Sequence, residues 1–128
     1  MRHERHYTLD EARELRPWVA RRVHAARSAL DLLTGAKARA AVDALDPAAG
    51  GGWPGRDVAE ATMMLQRAVA DLQTADIVVR DVMGGLVDFP AVRDGEEVYL
   101  CWLVDEPEIG WWHELDAGFH GRRRLAGG

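Results

Sequence analysis

The chain has 128 residues, 48% hydrophobic and 29% charged, which excludes disordered and fibrous classes and fits one domain that hides roughly two-thirds of its unfolded surface. Its 16 Lys and Arg against 21 Asp and Glu leave a net charge of −5, so the phosphate backbone of a nucleic acid, which demands a positive field, is not the expected partner. Cys101 is the one cysteine, which rules out an intrachain disulfide and a tetrathiolate zinc site, and no apolar run reaches signal-peptide or bilayer-spanning length; a cytoplasmic protein without a membrane partner is expected.

The N-terminal "MRHERH" is a basic end that reads as frayed, with His3 and His6 in it. Thr8-Leu9-Asp10-Glu11 has the spacing of a capping box, in which the hydroxyl and the carboxylate each satisfy a free backbone N–H. Apolar residues then recur at Leu9, Ala12, Leu15, Val19, Val23, Ala26, Leu30 and Leu33, drawing one stripe along a long helix. Pro17 lies on its outward face and removes one backbone bond. Gly35 either ends this helix or lets it resume through "AKARAAVDAL", before "DPAAGGGWPG" breaks the pattern in a flexible loop near 46–56.

Asp57 is placed to cap a second helix, whose stripe steps through Val58, Ala61, Leu65, Ala68, Leu72, Ala75 and Val79 to a stop at Gly84-Gly85. Residues 8–82 thus form an antiparallel helix hairpin, and two helices alone leave much of each stripe uncovered. Beyond Gly85 the period changes. "LVDFPAVRDGEEVYLCWLV" reads as two strands around an Asp94-Gly95 turn that needs positive φ. Val98, Leu100, Trp102 and Val104 share one face of the second strand, Tyr99, Cys101 and Leu103 the other; both are apolar, which makes the strand central. "EIGWWHEL" is able to return as a third strand. The expectation for 1–128 is a single α+β domain, the hairpin packed on an antiparallel sheet of two or three strands.

The segment from Gly85 to Arg122, with Asp88-Phe89-Pro90, Tyr99-Leu100-Cys101-Trp102, Glu106-Pro107-Glu108 and Trp112-His113-Glu114, resembles the C-terminal signature of the prokaryotic family called domain of unknown function 2203. "YTLDEARELRPWV" resembles the family's N-terminus. The resemblance implies no activity and no catalytic assignment.

The residues themselves point to Glu106 through His113. Glu106 and Glu108 flank Pro107, so in extended chain both carboxylates point one way. His113 and Glu114 are neighbours in a strand and face opposite sides, which makes His113 the preferred third ligand and Glu114 a further candidate. One histidine and two carboxylates with open positions suit ferrous iron, and zinc or manganese can use them too. The alternative reading has both glutamates in solvent and His113 bonded to a backbone carbonyl beside the tryptophans. Asp88 interrupts an apolar strand and needs a partner: Arg93, Arg122 or the same cation. Cys101 reads as an inert core thiol. Trp102, Trp111 and Trp112 either line a small-molecule pocket or cover the helices.

Two functions remain open at this point. One is a small ligand- or metal-binding protein, an iron or zinc enzyme in its fuller form; the other is a non-catalytic homodimeric module joined through its helices, in which the C-terminal motif is structural.

Overall fold

The computed structural model describes residues 1–43 and 55–125. Most of the Gly/Pro loop expected near 46–56 lies outside the described residues. Helix α1 spans Leu9–Asp43 and α2 spans Arg56–Thr74. Five strands follow: β1 Val78–Asp81, β2 Leu86–Arg93, β3 Glu96–Leu103, β4 Trp111–Glu114 and β5 Arg123–Arg124, with a short 3-10 turn at Phe119–Gly121 before the last. They form one antiparallel sheet in the order β1-β2-β3-β4-β5, so the α+β expectation stands while the sheet has five strands rather than two or three. No helix among the described residues is long and apolar enough to cross a membrane.

The capping box forms as read: Thr8 N–H donates to Glu11 Oε1 at 2.9 Å and Glu11 N–H to Thr8 Oγ1 at 3.1 Å. α1 runs through both Pro17 and Gly35. Proline supplies no N–H to the Arg13 carbonyl, and Arg16 Nε donates to that oxygen instead, at 3.5 Å.

α2 departs from expectation at both ends. Its N-cap is Gly55, and Asp57 sits within the first turn, where its charge suits the helix dipole without capping it. The helix stops at Thr74, ten residues before the glycines, because Asp76 takes the left-handed conformation at φ 59°. Ile77 N–H reaches back to Leu72 O at 2.9 Å and Asp76 N–H to Gln73 O at 2.9 Å, the paired bonds of a Schellman stop with aspartate in the slot glycine usually fills. The next residues are thereby released to form β1. Gly84 and Gly85 make the β1–β2 turn: Gly84 N–H is held by Asp81 Oδ1 at 3.1 Å, and Gly85 has φ 71°.

The β2–β3 hairpin closes as expected through Asp94 at φ 52° and Gly95 at φ 80°, pairing Arg93 with Glu96. Strand alternation then divides the sheet. Val87, Phe89, Ala91, Val98, Leu100 and Trp102 pack with Ala12, Val19 and Val23 of α1 and Leu72 of α2 in the main core. Each such buried valine, leucine or phenylalanine side chain contributes about 1.5–3 kcal/mol of transfer free energy. The other face presents Asp88, Tyr99, Cys101 and His113, all buried.

The N-terminus is tied down over that second face rather than frayed. His3 bridges Asp76 Oδ1, at 2.8 Å, and the Tyr99 hydroxyl, at 2.6 Å. His6 Nε2 lies 2.7 Å from Glu97 Oε2, and the backbone N–H groups of Arg2 and His3 also donate to the Glu97 carboxylate. Burial alone would push the Glu97 carboxyl up, but these donors outweigh it and hold it down at about 2.

Candidate metal centre

The hairpin turn sets Asp88 directly opposite Cys101, and β4 places His113 opposite Tyr99, one diagonal step away. Among the described residues, Asp88, Cys101 and His113 form a cluster whose donor atoms all lie within 4.8 Å of one another, and none of the three exposes more than 2% of its surface. A buried carboxylate and imidazole must be satisfied locally. His113 Nδ1 is 2.6 Å from the carbonyl oxygen of Glu114. A carbonyl only accepts, so Nδ1 carries hydrogen and Nε2 is the nitrogen turned inward, 3.1 Å from each oxygen of Asp88. Two acceptors cannot face each other unaided: a proton or a cation has to lie between them.

Asp88 is also held from its other side by Arg80 Nε, at 2.9 Å from Oδ2. The partner is Arg80, and not Arg93 or Arg122. Arg80 arches over the ring of Tyr99, its guanidinium carbon 5.0 Å from the centroid. Burial, reinforced by the Asp88 charge, pushes the Cys101 thiol up to about 12, against a smaller opposing effect of Arg122. Left to itself the thiol is inert, as the sequence implied; a bound cation reverses that preference because a coordinating thiol gives up its proton. The cluster opens onto a cavity of about 330 Å³ walled by Arg2, Arg80, Leu86, Leu115, Asp116 and Phe119.

The glutamates of the sequence-derived ligand set lie elsewhere. Glu106 accepts two parallel bonds from Arg122, at 3.0 and 3.1 Å, and a third from Leu103 N–H at 2.9 Å. Its own carbonyl accepts the Trp102 indole N–H, so the residue locks the β3–β4 connection. Glu108 is exposed, 3.8 Å from Arg13 and 3.9 Å from Arg16, while Arg16 donates to the Pro107 carbonyl. Glu106, Glu108 and His113 are therefore not brought together around one centre. Glu114 is exposed, on the opposite side of β4 from His113, and contributes only its backbone oxygen. Asp88 and His113 do meet, with Cys101 as their third member.

A family model described as an uncharacterised conserved protein, DUF2203, matches residues 5–125. The chain belongs to this family. No curated protein and no solved structure matches it. In this DUF2203 chain the three motif segments Asp88-Phe89-Pro90, Tyr99 to Trp102 and Trp112-His113-Glu114 are adjacent strands, and each supplies one member of the cluster. The Glu106 motif supplies the clamp on Arg122, whose guanidinium is stacked between Trp111 and Phe119 at 4.5 and 4.3 Å. Sequence reasoning missed Arg80, which it left inside the second helix, and His3, which it left in a frayed end.

Proposed function

We propose that this DUF2203 protein binds a divalent transition metal through Asp88, Cys101 and His113. The observation that carries the reading is the Nδ1–H bond of His113 to the Glu114 carbonyl, because it directs the Nε2 lone pair at a carboxylate and a thiol in a buried space. Metal-ligating histidines characteristically donate their second nitrogen in this way. Two ligands at about 2.0–2.1 Å from a tetrahedral zinc stand roughly 3.3 Å apart, close to the 3.1 Å between Nε2 and the Asp88 oxygens. Arg80 fits as the outer partner that orients the carboxylate, leaving Asp88 Oδ1 for the metal.

The donor set favours zinc, with ferrous iron next; a thiolate is a poor match for manganese. Three protein donors facing a cavity leave a coordination position open, the arrangement of catalytic rather than structural zinc sites. A cation also removes the conflict between Nε2 and the carboxylate and charges the thiol. Untagged protein should hold about one equivalent of metal, and Cys101→Ser and His113→Gln should each lose most of it while keeping the helical circular dichroism. Retention of metal by both variants contradicts the assignment.

A second reading, assembly of two copies through the helices, draws on α2: Met63 and Met64 are 64% and 49% exposed on its outer side. It is compatible with the metal centre, which lies on the opposite face of the sheet from the helices.

A further inference from the structure

The cavity of about 330 Å³ over Asp88, Cys101 and His113 carries two guanidinium groups on its walls, those of Arg2 and Arg80. They arrive there by different routes. The β1–β2 register slips at Arg80, since Val79 pairs with Val87 and Asp81 with Leu86, and a bulge of this kind re-aims the side chain of its extra residue. Arg2 is carried in by the N-terminal segment, whose backbone N–H groups at Arg2 and His3 are fixed on Glu97. Asp116 and then the Tyr99 hydroxyl raise the Arg2 guanidinium above its ordinary value; burial would lower that of Arg80, but Asp88 and the same hydroxyl outweigh it. The two cations thus have Tyr99 as a common neighbour.

The charge on these walls depends on the ion beneath them. In the metal-free protein each guanidinium has one counter-ion, Asp88 at 2.9 Å from Arg80 and Asp116 at 3.1 Å from Arg2. The Cys101 thiol, pushed up to about 12 by burial and then by Asp88, is neutral. A divalent ion is cancelled by the Asp88 carboxylate and by the thiolate it creates at Cys101. Arg80 then loses its counter-ion, and the cavity gains one net positive charge. A guanidinium has five N–H donors, and Arg80 commits its Nε to Asp88, which leaves the terminal nitrogens for a ligand.

We propose that the metal centre takes a short-chain carboxylate, one oxygen at the open coordination position and the other on Arg80, with Arg2 adding charge beside it. The site presupposes the ion held by Asp88, Cys101 and His113. Guanidinium forks match carboxylates in charge and in planar geometry. One net positive charge suits a monoanion better than a phosphate monoester, which carries about −1.5 to −2 at neutral pH. The cavity is near the lower limit of small-molecule sites, and Leu86, Leu115 and Phe119 give the rest of its wall to a chain of a few carbons.

The test is isothermal titration of the full chain, loaded with zinc and separately metal-free, with butyrate, with its neutral isostere butyramide and with inorganic phosphate. Butyrate should saturate one site in the zinc form and bind at least about tenfold more weakly to the metal-free form; butyramide and phosphate should each fall at least about tenfold below butyrate, the cost of one charge-assisted bond. Arg80→Gln, matched in zinc content, should bring butyrate down to the butyramide level. Arg2→Gln and Asp116→Asn, whose side chains bond to each other rather than to a metal ligand, should keep full zinc content and move butyrate affinity several-fold in opposite directions, weaker in the first and tighter in the second. A chain that takes up no zinc overturns the metal centre and this site with it. A chain that holds zinc but binds butyrate no better than butyramide, prefers phosphate, binds butyrate equally well without the metal, or is indifferent to all three substitutions overturns the carboxylate site alone.

Discussion

Asp88 holds together the polar face of the sheet, because it is the one anion between Arg80 and His113. Removing the charge in Asp88→Asn leaves both partners uncompensated. Breaking a buried pair in this way costs about 3–5 kcal/mol, and the lower end applies here because the Arg80 side chain is 40% exposed. Urea unfolding in the presence of a chelator should register that loss; a change under about 1 kcal/mol would mean that Asp88 is not neutralising its neighbours. Glu97 gives a second prediction at this scale. Its folded pKa of about 2 lies below the ordinary 4.5, so the stability it contributes is fully present above 4.5 and disappears as pH falls towards 2. The melting temperature of wild type should therefore lose its advantage over Glu97→Gln across that interval. A constant difference between the two proteins contradicts the clamp of His3, His6 and Arg2 on this carboxylate. Which of these residues were legible beforehand follows from geometry. A two-residue turn at Asp94-Gly95 pairs Arg93 with Glu96 and, five residues further from the turn on each strand, Asp88 with Cys101. The cysteine was therefore within reach of a register count. His113 was named from its residue type, but its place beside Asp88 depends on the β3–β4 register, which the connection from Val104 to Gly110 leaves open until Glu106 locks it.

At the scale of elements, the two turns of the sheet differ in what they demand. Gly85 has φ 71°, and a Cβ there would stand 2.5 Å from both Val104 Cγ2 and an Arg27 nitrogen. Gly85→Ala should cost at least about 2 kcal/mol, the left-handed penalty of 1–2 kcal/mol plus the contact with a branched core side chain. Chemical denaturation measures it directly, and a neutral result would show that the β1–β2 turn relaxes freely. The helices were readable because the 3.6-residue stripe and the capping box are local signals. The end of α2 was not, because the stripe continues through Ala75 and Val79 while the stop is made by Asp76, a residue whose left-handed conformation is uncommon and has no mark in the pattern. That single misplacement hid β1 and, with it, Arg80. β5 was missed for a different reason: its two residues, Arg123 and Arg124, are charged and exposed, and what ties them to β4 beyond the backbone pairing is cation–π stacking on Trp112 and Trp111, which leaves no apolar alternation in the sequence.

For the whole molecule, one face of the sheet is covered by helices and the other by the two ends of the chain, which places the polar cluster under a cover of short segments. α1, at 35 residues, is about 52 Å long, whereas the longest strands, of eight residues, span about 27 Å. The excess helix length, together with exposed Met63 and Met64, is the basis for expecting a homodimer. Light scattering at micromolar concentration should give about twice the 14.2 kDa chain mass, and Met63→Lys with Met64→Lys should return it to the monomer value. A monomer in the unaltered protein removes that expectation and leaves the metal centre untouched. The centre itself is tested most directly by cobalt reconstitution of metal-free protein, followed by absorption spectroscopy. If Asp88, Cys101 and His113 ligate the ion, one equivalent of cobalt should produce a near-ultraviolet thiolate-to-metal charge-transfer band that is lost in Cys101→Ser. Cobalt that fails to bind, or binds with no thiolate band, would contradict the metal assignment and leave Asp88 and His113 as a buried ion pair beside a silent thiol.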